Sequence, residues 1–328
     1  MNTRRKLVIA LGASTLAPCA SFAQQKIYRL AILQQGTAES VRVREDALWQ
    51  GLKELGYTEG VNLTIDRRYA DGQSARLPGL AAELVKSRPD VISAPSTPTA
   101  QAVKEAASAA GSQVPIVITQ ASDPIGSGFA ASLARPGGNI TGTTNMQSDI
   151  DAKRVQMLKE LIPSLKRVGV VQAGDKLAQI QLAAVQVVGR VLGVEIIAIV
   201  AQQPDDYRRE FASAKSRGFG AFMTVSNGQN LQNEKLTIDL AAQYRLPVIY
   251  PDTGRPEQGG LISYGTDSAK LHKRTAFYID KLFKGAKAGE LPIERPTLFE
   301  LAINLKTAKA LGIKVPQTIL IQATKVIE

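Results

Sequence analysis

Cysteine, histidine and tryptophan each occur once in these 328 residues, as Cys19, His272 and Trp49, and aromatic residues make up only 5%. A single cysteine excludes an intramolecular disulfide and a thiolate metal site. A single histidine excludes the paired imidazoles of a His-Glu-x-x-His metal site, and no Gly-x-Ser-x-Gly elbow or Walker A loop is present. Beyond residue 25 no stretch approaches the roughly 18 consecutive apolar residues that a spanning helix needs. With 44% hydrophobic and 21% charged residues, the composition excludes a disordered or collagen-like chain. At roughly 150 residues per domain, the length points to two domains. Acids are outnumbered: 29 Asp and Glu face 40 Lys and Arg, a net charge of +11.

Part of that charge belongs to a leader. Arg4, Arg5 and Lys6 precede the apolar run Leu7–Ala17, Pro18 breaks it, and Ser21-Phe22-Ala23 offers small residues for cleavage. This order is a secretory signal peptide over residues 1–23, cleaved near Ala23, and the expected destination is the periplasm. Pro18 before Cys19 argues against lipid attachment at that cysteine. Removing 23 of the 328 residues leaves 305 with no cysteine, and the charge falls to +8 because three cations leave with no acid. The remaining cations are spread over helices such as the one spanning Lys270 and Lys284, without the block and interleaved aromatics of a nucleic-acid surface.

Hydrophobic periodicity then alternates between strands and helices. Strands are expected at Lys26–Leu33, Asn62–Tyr69, Asp90–Ser93, Pro115–Thr119 and Asn139–Thr143. Helices are expected at Val41–Leu55, Leu77–Ser87, Thr97–Ala110 and Phe129–Ala134. The pattern restarts with strands at Arg167–Val171, Val194–Ile199, Ala221–Val225 and Pro247–Tyr250, separated by helices. Short apolar strands between helices pair in parallel, because each crossover covers a sheet face. The fold class is therefore α/β, with two doubly wound parallel-sheet lobes and a ligand cleft between them. After Gly265 a helix at Ser268–Lys284, a strand at Leu298–Ile303 and a helix at Leu305–Leu311 return to patch one or both lobes.

Ligands in open α/β sheets bind beyond the carboxyl ends of the strands. The loops there hold Gln34 and Gln35, Ser96, Thr97 and Thr99, and Ser122 and Asp123 in the first lobe. In the second they hold Asp175, Asn227 and Asp252. A helix start at Thr97–Thr99 suits a carboxylate, and Asp123 or Asp175 could pair with an ammonium. Tyr250 and Tyr264 could stack on an aromatic ligand. His272 lies in a Lys/Arg-rich helix with no partner at three or four residues' spacing, which reads as a solvated histidine. Gly126-Ser-Gly128-Phe-Ala-Ala131 matches a dinucleotide fingerprint, yet Ser122-Asp123-Pro124 separates it from its strand, so no cofactor is expected. No catalytic or metal-binding set emerges.

Several longer segments are similar to one known family. They are Gly51-Leu-Lys-Glu-Leu-Gly-Tyr57, Ser122-Asp-Pro-Ile-Gly-Ser-Gly-Phe129, Ser132-Leu-Ala-Arg-Pro-Gly-Gly-Asn-Ile-Thr-Gly142, Gly259-Gly-Leu-Ile-Ser-Tyr-Gly265 and Phe299-Glu-Leu-Ala-Ile-Asn304. Together they resemble the ABC transporter substrate-binding proteins, a family with tryptophan- and tyrosine-binding members. The resemblance implies a type I periplasmic-binding-protein fold with three crossovers, an N-terminal lobe of 24–144 plus about 266–296, and a C-terminal lobe of 145–265 plus about 297–328. It also implies a monomer that binds a small-molecule ligand such as an amino acid or small carboxylate, and that delivers it to an ABC permease and its ATPase. An exported binder of a sugar or nucleoside remains the alternative, as does a ligand-sensing regulator, although a signal peptide stands where the regulator would carry its DNA-binding headpiece.

Overall fold

The computed structural model describes residues 26–145, 147–174, 176–297 and 299–328. The leader read over residues 1–23 and the candidate ligand residue Asp175 lie outside the described residues.

The first parallel sheet is built from β1 (Tyr28–Gln34), β2 (Leu63–Tyr69), β3 (Val91–Ser93), β4 (Ile116–Ala121) and β5 (Ile140–Thr144), in the order β2-β1-β3-β4-β5. Its crossovers include α1 (Ala38–Glu54), α2 (Leu77–Lys86) and α3 (Thr97–Ala109). Alternation along β1 divides the core. Ala31 and Leu33 pack with α2 and α3, whereas Leu30 and Ile32 face α1 on the other side of the sheet.

The chain then crosses through α4 (Gln147–Leu161) into a second sheet. This holds β6 (Arg167–Gln172), β7 (Glu195–Val200), β8 (Ala221–Thr224), β9 (Val248–Tyr250) and β10 (Ile262–Gly265), with α5 (Lys176–Leu192), α6 (Pro204–Ser213), α7 (Gly228–Gln232) and α8 (Glu234–Tyr244) between them. A second crossing carries α9 (Ser268–Phe283) back to the first lobe, where it packs against α1. Gly51 allows that approach: a Cβ there would lie 2.8 Å from both Ala276 Cβ and the Lys273 carbonyl. Phe283 at the end of α9 stacks on Tyr28, with ring centroids 4.5 Å apart.

A third crossing returns the chain to the second sheet as β11 (Glu300–Asn304), followed by α10 (Leu305–Ala310), α11 (Gln317–Gln322) and β12 (Lys325–Ile327). The order is β12-β11-β10-β9-β8-β6-β7. Because β11 re-enters from the other lobe, it pairs antiparallel with β10, with Ile262 opposite Ile303. The parallel pattern expected from the alternating elements is broken at that one seam.

One expected helix does not form. Residues 122–139 run as successive turns, since Pro124, Gly126, Gly128, Pro136, Gly137 and Gly138 interrupt any helical ladder. The Phe129 N–H instead donates to the Pro124 carbonyl at 2.8 Å. Among the described residues no helix is long and apolar enough to cross a membrane.

Candidate ligand-binding site

A cavity of about 100 Å³ lies between the two sheets. Its first wall is formed by the carboxyl ends of β1, β3 and β4, which present Gln34 and Gln35, Ser96 and Thr97, and Gln120 and Ser122. The facing wall comes from the carboxyl ends of β6, β8 and β9, at Ala173, Thr224–Asn227 and Tyr250–Asp252. Parallel strands expose their last residues together at one sheet edge, which is why distant loops meet there.

Contacts across the cleft tie the walls together. Gln181 Nε2 donates to Ser122 Oγ at 3.2 Å, Gln229 Nε2 to the Gly72 carbonyl at 3.0 Å, and Gln232 Nε2 to the Asp71 carbonyl at 3.3 Å. Arg44 on α1 reaches over to Asp252 beyond β9, Nη2 to Oδ2 at 3.0 Å.

The start of α3 is largely self-satisfied. Ser96 Oγ takes the Thr99 N–H, while Thr99 Oγ1 takes the Ser96 N–H in return. Pro98 has no N–H, so this helix end offers at most the Thr97 N–H to an anion. Thr97 Oγ1 accepts from the Ser122 N–H at 3.0 Å and thereby positions the loop after β4.

Charged side chains line the cavity in a chain of pairs. Asp252 accepts from Arg44 and from Arg255, the latter at 3.1 Å, and Arg255 also pairs with Glu234. Burial disfavours the Asp252 charge, but Arg44, Arg255 and the nearby Arg154 outweigh it and hold its carboxyl below the ordinary range. Burial raises Glu234, with the Arg255 charge opposing. Arg154 is fully enclosed and fixes the floor of this wall: Nε donates to the Tyr264 carbonyl at 2.7 Å, Nη2 to the Pro251 carbonyl at 3.3 Å, and Nη1 pairs with Asp151.

Of the sequence-predicted residues, the fold brings Gln34, Gln35, Ser96, Thr97, Ser122, Asn227 and Asp252 to the cavity. Thr99 is buried within its cap, and Asp123 is exposed, with Oδ1 accepting the Gly126 N–H at 2.9 Å. Neither lines the cavity. Gln34 also spends its amide on the buried Glu45, at 3.0 Å. Tyr264 stacks on Phe299 and stands apart from the cavity, whereas Tyr250 belongs to its wall. Sequence reasoning missed Arg44, Gln120, Gln181, Glu234 and Arg255, which only the apposition of the lobes collects.

His272 corrects another expectation: it is 3% exposed, lines the cavity, and places Nδ1 2.8 Å from the Ser268 carbonyl. A signal was present, because His272, Thr275, Ala276, Ile279 and Phe283 form the buried stripe of α9. Burial, followed by the Arg44 charge, lowers its pKa to about 4. The unfolded chain therefore binds a proton near pH 6.5 that the folded protein refuses until about pH 4. This group's contribution to stability is complete above that window and falls as pH drops through it, by roughly 3 kcal/mol in all. Urea unfolding of His272→Gln between pH 7 and 4 should give a shallower loss of stability than in the wild type. Equal slopes would contradict a neutral buried imidazole.

The chain's likeness to known proteins agrees with this architecture. A family model described as ABC transporter substrate binding protein matches residues 29–327. The tyrosine-binding protein of Clostridioides difficile is 26% identical over 266 residues, which span 81% of this chain and 75% of that protein. The crystal structure of a conserved domain protein from Vibrio cholerae superposes with a TM-score of 0.83 at 27% identity, covering 92% of this chain and all of that one. A Streptococcus pneumonia ABC domain in complex with L-Trp gives 0.78 at 23% identity, covering 91% of this chain and 100% of the other.

Proposed function

The chain belongs to the ABC transporter substrate binding protein family, and on that premise we propose that it captures an amino acid or related small carboxylate between its lobes and delivers it to a membrane permease and its ATPase. One observation carries the reading: a cavity between the lobes is lined from both sides by amide, hydroxyl and paired charged groups at the strand ends. The tyrosine-binding relative supports an amino-acid ligand. In this reading the protein acts in the periplasm after cleavage near Ala23. The lobes at 24–144 plus about 266–296 and at 145–265 plus about 297–328 close on the ligand as units. Gln35, Ser96, Thr97, Ser122 and Asn227 contact it, while Gln34 and Asp252 hold the walls in place.

Charge balance refines the ligand class. Among the described lining residues, Arg44 and Arg255 are matched by Asp252 and Glu234, and His272 is neutral. A net-charged ligand would add a buried charge with no counterion, so a zwitterion with a neutral side chain is favoured. A wider space of about 780 Å³ adjoins the cavity and shares Arg44, Leu231, Glu234, Asp252 and Arg255 with it, so volume alone does not select among neutral amino acids. The same balance accommodates a neutral sugar or nucleoside, the second reading.

A thermal-shift panel of amino acids, small organic acids and sugars tests the proposal. A ligand at 100 times its Kd stabilises the folded state by about 2.7 kcal/mol, and neutral amino acids are expected to give the largest shifts. Shifts from sugars alone, with none from any carboxylate, would sink the amino-acid reading.

A further inference from the structure

Tyr250 raises a question that packing alone does not answer. The residue is 2% exposed and forms part of the cavity wall, and its buried hydroxyl has no hydrogen-bond partner among the described residues. The ring itself is accounted for by Ile238, Leu246 and Val248, in one apolar cluster with it, and by Gly260, where a Cβ would come within 2.9 Å of the ring edge. Phenylalanine would fill that space equally well. The oxygen therefore adds nothing to the packing, and an unsatisfied buried hydroxyl is a net cost to the folded chain.

The surroundings restrict what that oxygen can address. Glu234 and Arg255 line the same cavity, and Arg255 is already shared between Glu234 and Asp252. A ligand carboxylate placed there would face Glu234 with no unspent cation to offset it. A neutral acceptor meets no such repulsion. We propose that the Tyr250 hydroxyl is a specificity-determining donor that hydrogen-bonds a neutral oxygen of the ligand, such as a phenol, hydroxyl or amide oxygen, at the end facing the second lobe. The assignment rests on the small-molecule reading of this cavity. It selects ligands by one oxygen, because an analogue without it leaves the buried donor unpaired.

The test compares full-length wild type with Tyr250→Phe, using L-tyrosine, L-phenylalanine and myo-inositol as titrants in calorimetry, alongside melting of the ligand-free proteins. Wild type is expected to prefer L-tyrosine to L-phenylalanine by about tenfold, and Tyr250→Phe to bind both alike. Without ligand, the variant should melt at the same temperature as wild type or higher, since the hydroxyl has no partner among the described residues to lose. If only myo-inositol binds, the amino-acid reading fails, and a roughly tenfold weaker affinity in Tyr250→Phe still upholds the Tyr250 assignment. An unchanged preference or affinity in the variant overturns the assignment, as does a lower melting temperature with unchanged binding, which marks a purely structural hydroxyl. A wild type that binds none of the three overturns both readings.

Discussion

Gly142→Ala is expected to unfold the first lobe well below the wild-type melting temperature. Gly142 sits in β5 with φ at 131°, in register with Ile118 of β4, and a Cβ built on it would lie 1.9 Å from the Ile118 carbonyl oxygen. That atom is backbone inside a paired sheet, so no side-chain rotation can relieve the contact. Overpacking costs about 1–3 kcal/mol, and a residue forced into a sparsely populated backbone region about 1–3 kcal/mol more. The two causes act together, which puts the loss on the order of 4 kcal/mol and the drop in Tm at roughly 10 °C. The seam also carries the lobe's outer edge, since the Glu294 N–H donates to the Gly142 carbonyl and the Thr144 N–H to the Glu294 carbonyl. Gly79→Ala is the control: it lies on the exposed face of helix α2 with open space around its Cβ position, and alanine there should stabilise by up to about 1 kcal/mol. If both variants melted alike, the close β4–β5 approach would be wrong.

Asp252→Ala is expected to cost roughly 3 kcal/mol, from the low end of the range for breaking buried pairs because its wall keeps some exposure. Removing this carboxylate leaves Arg44 and Arg255, from opposite lobes, facing one another without the anion that joins them. Urea unfolding at neutral pH would show the deficit as a lower midpoint. The Asp252 carboxyl is held below its ordinary range, so its contribution is fully present above the unfolded value near 3.9 and disappears as pH falls through the folded value. The gap between variant and wild type should therefore persist down to about pH 4 and close only in stronger acid. Asp239→Ala removes an exposed partner of Lys235 and should move the midpoint very little. An Asp252→Ala midpoint equal to that of Asp239→Ala would show that the ion pair does not join the lobes.

The loops that frame the cavity were legible because they follow short apolar strands. Gln34 after Leu30–Leu33, Ser96 after Val91–Ser93 and Asn227 after Ala221–Thr224 each stand where a parallel strand must end. The start of α3 misled for a local reason. Its place at a helix start makes Thr99 look like a ligand contact, yet its hydroxyl and N–H are both consumed by Ser96. A carboxylate after β4 suggests an ammonium partner at Asp123, but the turn it stabilises through Gly126 leaves it exposed to solvent.

Local periodicity by itself determined the strand–helix alternation, the two sheets and the edge at which ligand loops gather, since burial on both strand faces leaves an imprint within about ten residues of chain. What only the tertiary structure decided depends on residues far apart. The Arg44–Asp252 pair spans 208 positions, and β11 runs antiparallel because the chain reaches it from the other lobe. His272 is neutral and Tyr250 holds an unspent hydroxyl because of what the opposing elements bury against them. Pairing and the depth of desolvation are set by the neighbours in space; the pattern along the chain marks at most which face of a helix is buried, as it does for His272.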